Sequence, residues 1–318
     1  NEDQNASENL SNYFSHVFVF ASGYDSGGQL YTASLTDSTT ALANANMTQL
    51  GTDALIKYQG GQLYILHKGY SSVSSDNLQI VNPWDNFSTS AQFSTGNGTN
   101  PHDVIIRGSE AFISLFNPQA DTANVDADGN PADVIVMDTA TGTITQRYAF
   151  ADYLMPDEDL NANADKMILA NNILYVCLQD LDSNTFAAST HGLIGMIDVE
   201  THEILGVIDL QGYNPSGLAV STDKTKLFVS TTGDCSWGCS ETSEIGGIEV
   251  INLATLQSEQ FITSKQLGGY IERLVAAENS VFAVASKANW VDWTFESKII
   301  LFPQILADIE DVSDFTSF

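Results

Sequence analysis

Two stretches of this sequence are rich in the oxygen ligands that calcium binds. The first, Asn124-Val125-Asp126-Ala127-Asp128-Gly129, matches the opening half of a calcium loop, but Ile135 occupies the position of the closing glutamate. The second is an oxygen-rich run from 157 to 165. The candidate metal ligands are Asp126, Asp128, Asp159, Asn161, Asn163 and Asp165. Calcium is therefore the cofactor that the sequence suggests, and a solvated acidic loop is the alternative at both stretches.

Nucleophilic hydrolysis needs a positioned serine or cysteine beside a histidine, and the chain has no Gly-x-Ser-x-Gly turn. The five histidines are scattered singly along the chain. His102, at the start of an expected inner strand, and His191, at the end of a long loop, are the candidates for a binding site. No zinc-protease, c-type haem or phosphate-loop motif occurs. The sequence therefore assigns no catalytic residue.

Large aromatic side chains fall in predicted loops, where an exposed ring favours either a partner or local packing. The four that we select as ligand-binding candidates are Tyr70, Trp237, Trp290 and Trp293. The same loops hold no lysine or arginine but many carboxylates, so an anionic ligand would meet an unfavourable field. We expect a polar or cationic small ligand, a metal complex or a surface protein as the partner. A local lid formed by Trp290 and Trp293 is the alternative.

The charge of the chain excludes two classes of partner. Lys and Arg number 11 against 40 Asp and Glu, which gives a formal net charge of −29. Such a surface repels nucleic-acid phosphates and anionic lipid. No apolar run approaches the ~18 residues that a membrane-spanning helix requires. We therefore expect neither nucleic-acid binding nor a transmembrane segment.

The cysteines indicate the compartment. Cys235 and Cys239 flank three residues of a polar loop, a spacing that a small disulfide ring can close, and zinc is the alternative. Cys177 lies in an apolar strand pattern and is predicted to be a buried free thiol. Residues 1–12 are polar and acidic, with no apolar core of a signal peptide, and we expect them to be a flexible leader. The expectation is an exported protein, extracellular, periplasmic or held at the cell surface as a lipoprotein.

An internal repeat organises the rest of the chain. A short strand pattern that mixes aromatic and aliphatic residues recurs six times, beginning at residues 17, 63, 111, 174, 227 and 281. Each copy is followed by a related strand, and several by a further strand after a tight turn. Another strand precedes it, introduced by Asn-Pro at Asn100 and Asn214. The unit is therefore four strands long, and the aromatic strand is its second.

Four antiparallel strands per ~50 residues, with almost no helical periodicity, are typical of a propeller blade. We predict an all-β fold, a single β-propeller over residues 13–318 with six four-stranded blades. A seventh, degenerate blade is the alternative. The first blade lacks an obvious innermost strand, and we expect residues 314–318 to supply it and close the ring.

The blade motifs resemble the YVTN/lactonase-like propeller repeats of exported bacterial proteins. The motifs that carry this resemblance are Asn100-Pro101-His102-Asp103-Val104, Leu174-Tyr175-Val176, Ile197-Asp198-Val199-Glu200-Thr201 and Asn214-Pro215-Ser216-Gly217-Leu218-Ala219-Val220-Ser221. The resemblance covers residues 16 to about 305, and its motifs imply a fold rather than an activity. Some surface propeller lipoproteins similar to this chain capture cobalamin or siderophores, which implies ligand capture by analogy.

Loop lengths predict where the function lies. In a blade, the connections from the second to the third strand emerge on one face, and in this sequence they are long and varied, whereas the opposite turns are minimal. Recognition is expected on the elaborated face. The first hypothesis is a secreted or surface-anchored, non-catalytic binding propeller. The alternative is a calcium-dependent hydrolase or lactonase-type enzyme, with His102 and Asp103 at the channel mouth as the residues to test.

Overall fold

A computed structural model describes most of the chain. The described residues are 16–23, 27–34, 43–44, 50–51, 53–69, 76–154, 160–182, 185, 187–188, 191–233, 244–277, 280–289, 292, 294–303 and 316–317. The predicted leader therefore lies outside the described residues. No helix in the described part of the chain is long and apolar enough to cross a membrane.

The strands form six antiparallel sheets, each built from consecutive segments of the chain. The first sheet contains β1 (His16–Gly23), β2 (Gly27–Ser34) and β3 (Ala43–Asn44). The second contains β4 (Leu55–Gln59), β5 (Gln62–His67), β6 (Asn77–Asn82) and β7 (Ser88–Ser94). The third contains β8 (Pro101–Arg107), β9 (Glu110–Leu115), β10 (Val134–Asp138) and β11 (Ile144–Tyr148).

The remaining three sheets repeat the four-strand pattern. The fourth contains β12 (Ala164–Ala170), β13 (Ile173–Leu178), β14 (Leu193–Asp198) and β15 (Glu203–Asp209). The fifth contains β16 (Pro215–Val220), β17 (Lys226–Thr231), β18 (Gly247–Asn252) and β19 (Gln257–Thr263). The sixth contains β20 (Tyr270–Ala277), β21 (Ser280–Asn289), β22 (Thr294–Pro303) and β23 (Thr316–Ser317). A short helix, Ser264–Leu267, joins the last two sheets.

The repeated aromatic strand is the second strand of each four-stranded sheet, as predicted. It lies in the interior of its sheet, and its side chains pack against the adjoining sheet on either face, so β9, β13 and β17 are buried along almost their whole length. The fourth strand forms the outer edge. In β7 and β15 exposed and half-buried residues alternate, because only one face of the outer strand meets a neighbour. Cys177, in β13, is the predicted buried free thiol.

The sheets pack face to face in chain order, with the first strand of each four-stranded sheet at the centre. Innermost strands β4, β8, β12, β16 and β20 each contact the next in the series. Five apolar clusters fill five successive seams between neighbouring sheets. The described residues therefore form a propeller arrangement with five four-stranded sheets and a three-stranded first sheet.

The two ends of the chain differ from the prediction in one respect. The C-terminal residues Thr316 and Ser317 pair with Leu301 and Ile300 of β22, so they are the fourth strand of the last sheet. The prediction that residues 314–318 complete the first sheet was wrong, because β23 pairs instead with the outer edge of β22, the strand that precedes it in the chain. Within the described residues, the first sheet begins with its aromatic strand β1 and has no innermost strand.

Candidate functional site

Four successive innermost strands bulge at the same place. In each, the ladder to the second strand is interrupted after its first or second residue, and the third, fourth, fifth and sixth sheets share this irregularity. The bulged residues are His102, Asp165 with Lys166, Ser216 and Glu272. Innermost strand β4 has no bulge. A bulge redirects a side chain at a strand end and often lies beside a binding site.

An asparagine in the left-handed conformation precedes three of these bulges. Asn100, Asn163 and Asn214 have φ of 51°, 47° and 57°. Their carbonyl oxygens accept hydrogen bonds from the backbone N–H groups of Phe116, Gln179 and Thr232, which follow the second strands. Asparagine adopts this conformation more readily than most residues. The Asn-Pro motif noted in the sequence is thus a chain reversal that starts an innermost strand.

The bulges lie on the face from which the long loops emerge. Each bulge faces the carboxyl end of a second strand, and the long connection to the third strand leaves from that same end. The channel mouth, defined here by His102, Asp103, Asp165, Lys166 and Lys57, therefore opens on the elaborated face of the propeller.

His102 is held firmly at this mouth. Its Nδ1 lies 3.0 Å from Asp165 Oδ1, and its ring stacks on Phe116 at 4.5 Å with an interplanar angle of 19°. Burial lowers the pKa of His102 below its ordinary value, and the hydrogen bond with Asp165 opposes this only in part. The neutral ring donates its Nδ1 proton to Asp165. Among the described residues, Nε2 has no hydrogen-bond partner.

Asp165 gathers three donors. Lys166 Nζ lies 2.8 Å from Oδ1, and Gln179 Nε2 donates to Oδ2 at 3.0 Å. Burial alone would raise the pKa of Asp165, but the positive charge of Lys166 and the hydrogen bond from His102 hold it well below its usual range. Lys166 also donates to the carbonyl of His102 at 3.3 Å, so the two strands are tied together.

Asp103 connects three sheets and leaves no oxygen for chemistry. Its Oδ1 pairs with Lys57 Nζ at 2.6 Å and accepts from the N–H of Val104, while Oδ2 accepts from the N–H of Met167 at 2.9 Å. The carboxylate is buried. Asp103, which the hydrolase hypothesis names as a test residue, therefore has a structural role between the second, third and fourth sheets.

The first calcium candidate is a closed turn. Oδ1 of Asp126 accepts from the N–H groups of Asp128 and Asn130 at 3.0 and 2.9 Å, an arrangement typical of an Asx turn. The side chain of Asp128 is exposed. These two residues belong to the connection between β9 and β10, far along the chain from the second stretch.

The second calcium candidate directs its oxygens inward. Asn161 Oδ1 accepts from the N–H of Asn163, and Asn163 Oδ1 accepts from the N–H of Leu181 at 2.9 Å. Asp165 is the mouth residue described above, and Asp159 lies outside the described residues. In the part of the chain that the structure describes, no three His, Cys, Asp or Glu side chains are grouped as a metal site would require.

The remaining sequence candidates divide into two groups. His191 is exposed on the face from which the long loops emerge. Its ring lies 5.0 Å from that of Tyr213, at an angle of 53°. The others lie outside the described residues, and these are Tyr70, Trp237, Trp290, Trp293, Cys235 and Cys239. The aromatic part of the predicted site and the predicted disulfide therefore stay predictions.

Several acidic residues are buried, and each acts as a clamp, because its carboxylate accepts hydrogen bonds from the backbone N–H groups of two different residues. Asp76 accepts from the N–H groups of Gly69 and Gly98, and Asp133 accepts from those of Phe150 and Ala162. Burial raises the pKa of Asp133 to about 7. Glu249 holds the connection at Gln211 in the same way. These carboxylates hold the connections between strands and sheets in place, so they do not contribute to an acidic recognition surface.

The sequence matches no family model and no curated protein. Among solved structures, the chain is similar to hydrazine synthase of Kuenenia stuttgartiensis, with 12% sequence identity and a TM-score of 0.55. The match covers 82% of this chain and 67% of that chain. At this identity the likeness supports the propeller fold and carries no information about activity.

Proposed function

We propose that this protein is a non-catalytic binding propeller whose ligand occupies the channel mouth on the long-loop face. The observation that carries the proposal is the bulge shared by four successive innermost strands, which brings His102, Asp165 and Lys166 together at one opening. A rigid ring of strands with polar side chains at its opening resembles the concave, preformed sites that bind small ligands in other proteins.

The accessible groups at this mouth favour a polar ligand that is neutral or zwitterionic. Lys57 and Lys166 are partly exposed, whereas their partners Asp103 and Asp165 are almost fully buried. A purely cationic ligand, which the loop composition suggested, would therefore approach lysines first. His102 adds an acceptor at Nε2 beside the flat face of its stacked ring, which suits a hydrogen-bond donor on the ligand.

The test is native mass spectrometry of the protein purified from its source, in which a tightly bound small molecule travels with the protein. We expect a ligand mass on the wild type that is lost in His102→Ala. His202→Ala is the matched control, because His202 lies in the turn between β14 and β15 on the opposite face. Retention of the ligand by His102→Ala, or a wild type without any ligand, would contradict the proposal.

A second candidate function is hydrolysis with His102 as general base. The favouring observation is the pairing of His102 Nδ1 with a buried carboxylate, which leaves Nε2 able to accept a proton. Ser216 occupies the equivalent bulge two sheets further on, and Asp165 lies on the strand between them, so Ser216 does not adjoin this histidine. Turnover of a lactone and ester panel by the wild type, abolished in His102→Ala, would favour this reading over capture.

Calcium and export are further parts of the proposal. A rise in Tm on adding calcium that Asp126→Ala removes would support the loop as a calcium site. The spacing of Cys235 and Cys239 favours an oxidising compartment, and a mass two daltons below that of the reduced chain would support their disulfide. The repeated blade motifs support kinship with the YVTN/lactonase-like propellers, and their six copies support six blades.

A further inference from the structure

One equivalent position on four successive innermost strands holds residues of very different charge. In each sheet an aromatic residue of the second strand pairs with a residue of the innermost strand, and these pairs align the four sheets. The pairs are Phe112 with Ile105, Tyr175 with Ile168, Phe228 with Ala219 and Phe282 with Val275. The position two residues before each partner, on the same side of the strand, is occupied by Asp103, Lys166, Gly217 and Arg273.

Lys166 and Arg273 lie two strands apart at this position, and Gly217 lies between them. β12 contacts β16, and β16 contacts β20. Because Gly217 has no side chain, the residue at the intervening equivalent position does not separate the two cations. Burial lowers the pKa of Lys166, but the neighbouring carboxylates raise it above its ordinary value. The charge of Arg273 opposes that rise, so the two cations are close enough to repel each other.

The cationic side chains here are more accessible than the carboxylates beside them. The side chains of Lys57 and Lys166 are 33% and 28% exposed, and Arg273 is also exposed. Their partners Asp103 and Asp165 are only 2% and 9% exposed. An ammonium group has three protons to donate, and Lys166 uses two of them in the hydrogen bonds of the channel mouth. A ligand that enters the mouth therefore meets positive charge first.

This local charge is the reverse of the charge of the whole chain. The chain has only 11 lysines and arginines against 40 aspartates and glutamates. Three of the 11, Lys57, Lys166 and Arg273, lie on innermost strands near one opening. An acidic protein repels anions in general, so a cationic opening is where an anionic group would be bound. The acidic composition of the long loops does not reveal this opening.

We infer that Lys166 and Arg273 together bind a carboxylate group of the ligand, above Gly217. This inference rests on the proposed function, because it names the part of a zwitterionic ligand that the channel mouth holds. Arginine pairs with carboxylates through two parallel hydrogen bonds, and Nε2 of His102 is left to accept a hydrogen bond from the other end of the ligand. A doubly charged phosphate fits less well, because the two buried carboxylates of the mouth repel the additional charge.

Small ions of known charge test the assignment without knowledge of the ligand. In two-dimensional NMR of the wild type, acetate should shift the backbone N–H signal of Gly217 in a saturable way, whereas tetramethylammonium should not. Phosphate should bind more weakly than acetate. Tighter binding of either tetramethylammonium or phosphate than of acetate would overturn the inference.

Two variants that each remove one positive charge separate a local contact from the overall charge. Arg273→Met should weaken acetate binding by about tenfold or more, as expected for the loss of a hydrogen bond between charged groups. Arg273→Lys keeps the charge and should restore most of the affinity. Lys226→Met is the control, because Lys226 begins β17 on the opposite face and pairs with Glu259 at 3.1 Å. Equal affinities of Arg273→Met and Lys226→Met for acetate would overturn the inference.

Native mass spectrometry distinguishes this inference from the proposed function. A ligand carried by the wild type and by Lys226→Met should be lost or reduced in Arg273→Met. If the ligand is lost in His102→Ala but fully kept in Arg273→Met, the proposed function stands and the carboxylate assignment fails. If the wild type carries no ligand while acetate binds as expected, the anion contact stands and the proposed function fails.

Discussion

His102 and Asp165 are joined by a 3.0 Å contact between Nδ1 and Oδ1, although they lie 63 positions apart in the chain. Each occupies the bulge of its innermost strand, and the two strands are neighbours. The pair therefore exists only because the repeat brings equivalent positions of successive sheets side by side. Its geometry links the stability of the ring to the electrostatics of its opening.

Removing Asp165 should destabilise the fold. In Asp165→Ala, Lys166 and Gln179 lose their acceptor, and breaking a buried ion pair from one side typically costs about 3 kcal/mol. Urea unfolding followed by fluorescence provides the measurement. Asp209→Ala, at an exposed carboxylate on β15, is the control and should change the free energy of unfolding by less than about 0.5 kcal/mol. Similar losses in the two variants would argue against the described network.

His102 should stay neutral well below the pH at which a free histidine titrates. Its pKa is lowered by burial, so the folded state gains stability above a pH of about 6.5 and loses it as the pH falls through the lower folded value. A two-dimensional NMR titration of the imidazole carbons measures this pKa. In Asp165→Asn the pKa should fall further, because the opposing hydrogen bond and charge are weakened. A value above 6.5 in the wild type would refute the described burial.

The titration of Asp133 has the opposite sign. Its folded pKa of about 7 lies above the ordinary value of 3.8, so the folded state binds more protons between these values and loses stability as the pH rises. The slope for one group is at most about 1.4 kcal/mol per pH unit. The free energy of unfolding of the wild type minus that of Asp133→Asn should therefore decrease from pH 5 to pH 7. A difference that does not change between pH 5 and pH 7 would contradict the raised pKa of Asp133.

The left-handed asparagines make a conformational prediction. At Asn214, with φ of 57°, substitution by alanine should cost about 1 kcal/mol, because asparagine adopts the left-handed conformation more readily than alanine does. Asn214→Gly should be tolerated better, since glycine has no Cβ and adopts this conformation without steric cost. Thermal unfolding of the two variants compares them. If alanine proved as stable as glycine, backbone conformation would not be the reason for asparagine at this position.

The repeat made the scaffold predictable. The strands predicted from Leu63, Ala111, Leu174 and Leu227 all lie in second strands, because a fully covered strand needs a continuous apolar run that is visible in the sequence. The partner strand from Val134 to Asp138 was predicted with the bounds that the structure has. Because equivalent strands pack in equivalent places, their apolar runs recur at regular intervals, and this recurrence is visible in the sequence.

The site was less predictable, because its contacts join residues far apart in the chain. His102 was selected from its place at an inner strand, but Lys57 and Lys166 were not selected, since a lysine in a strand ordinarily signals an exposed position. Two carboxylates of the long loops show the opposite discrepancy, because the sequence suggested exposure and the structure shows burial. Asp76 and Asp133 each stand at the end of a loop, where a carboxylate is ordinarily exposed, yet each is buried against backbone N–H groups that lie up to 29 residues away. Sequence spacing alone cannot report such pairings.

The clamp at Asp133 has a practical consequence for engineering. Because one carboxylate fixes the N–H groups of both Phe150 and Ala162, the chain between them leaves and re-enters the scaffold at adjacent points. Extra residues inserted beside the exposed Asp152 or Tyr153 would lengthen a loop whose ends are already pinned, and the entropic cost of closing a loop grows only slowly with its length. This connection is therefore a suitable place to insert an affinity tag or a fluorescent peptide without disturbing the third and fourth sheets.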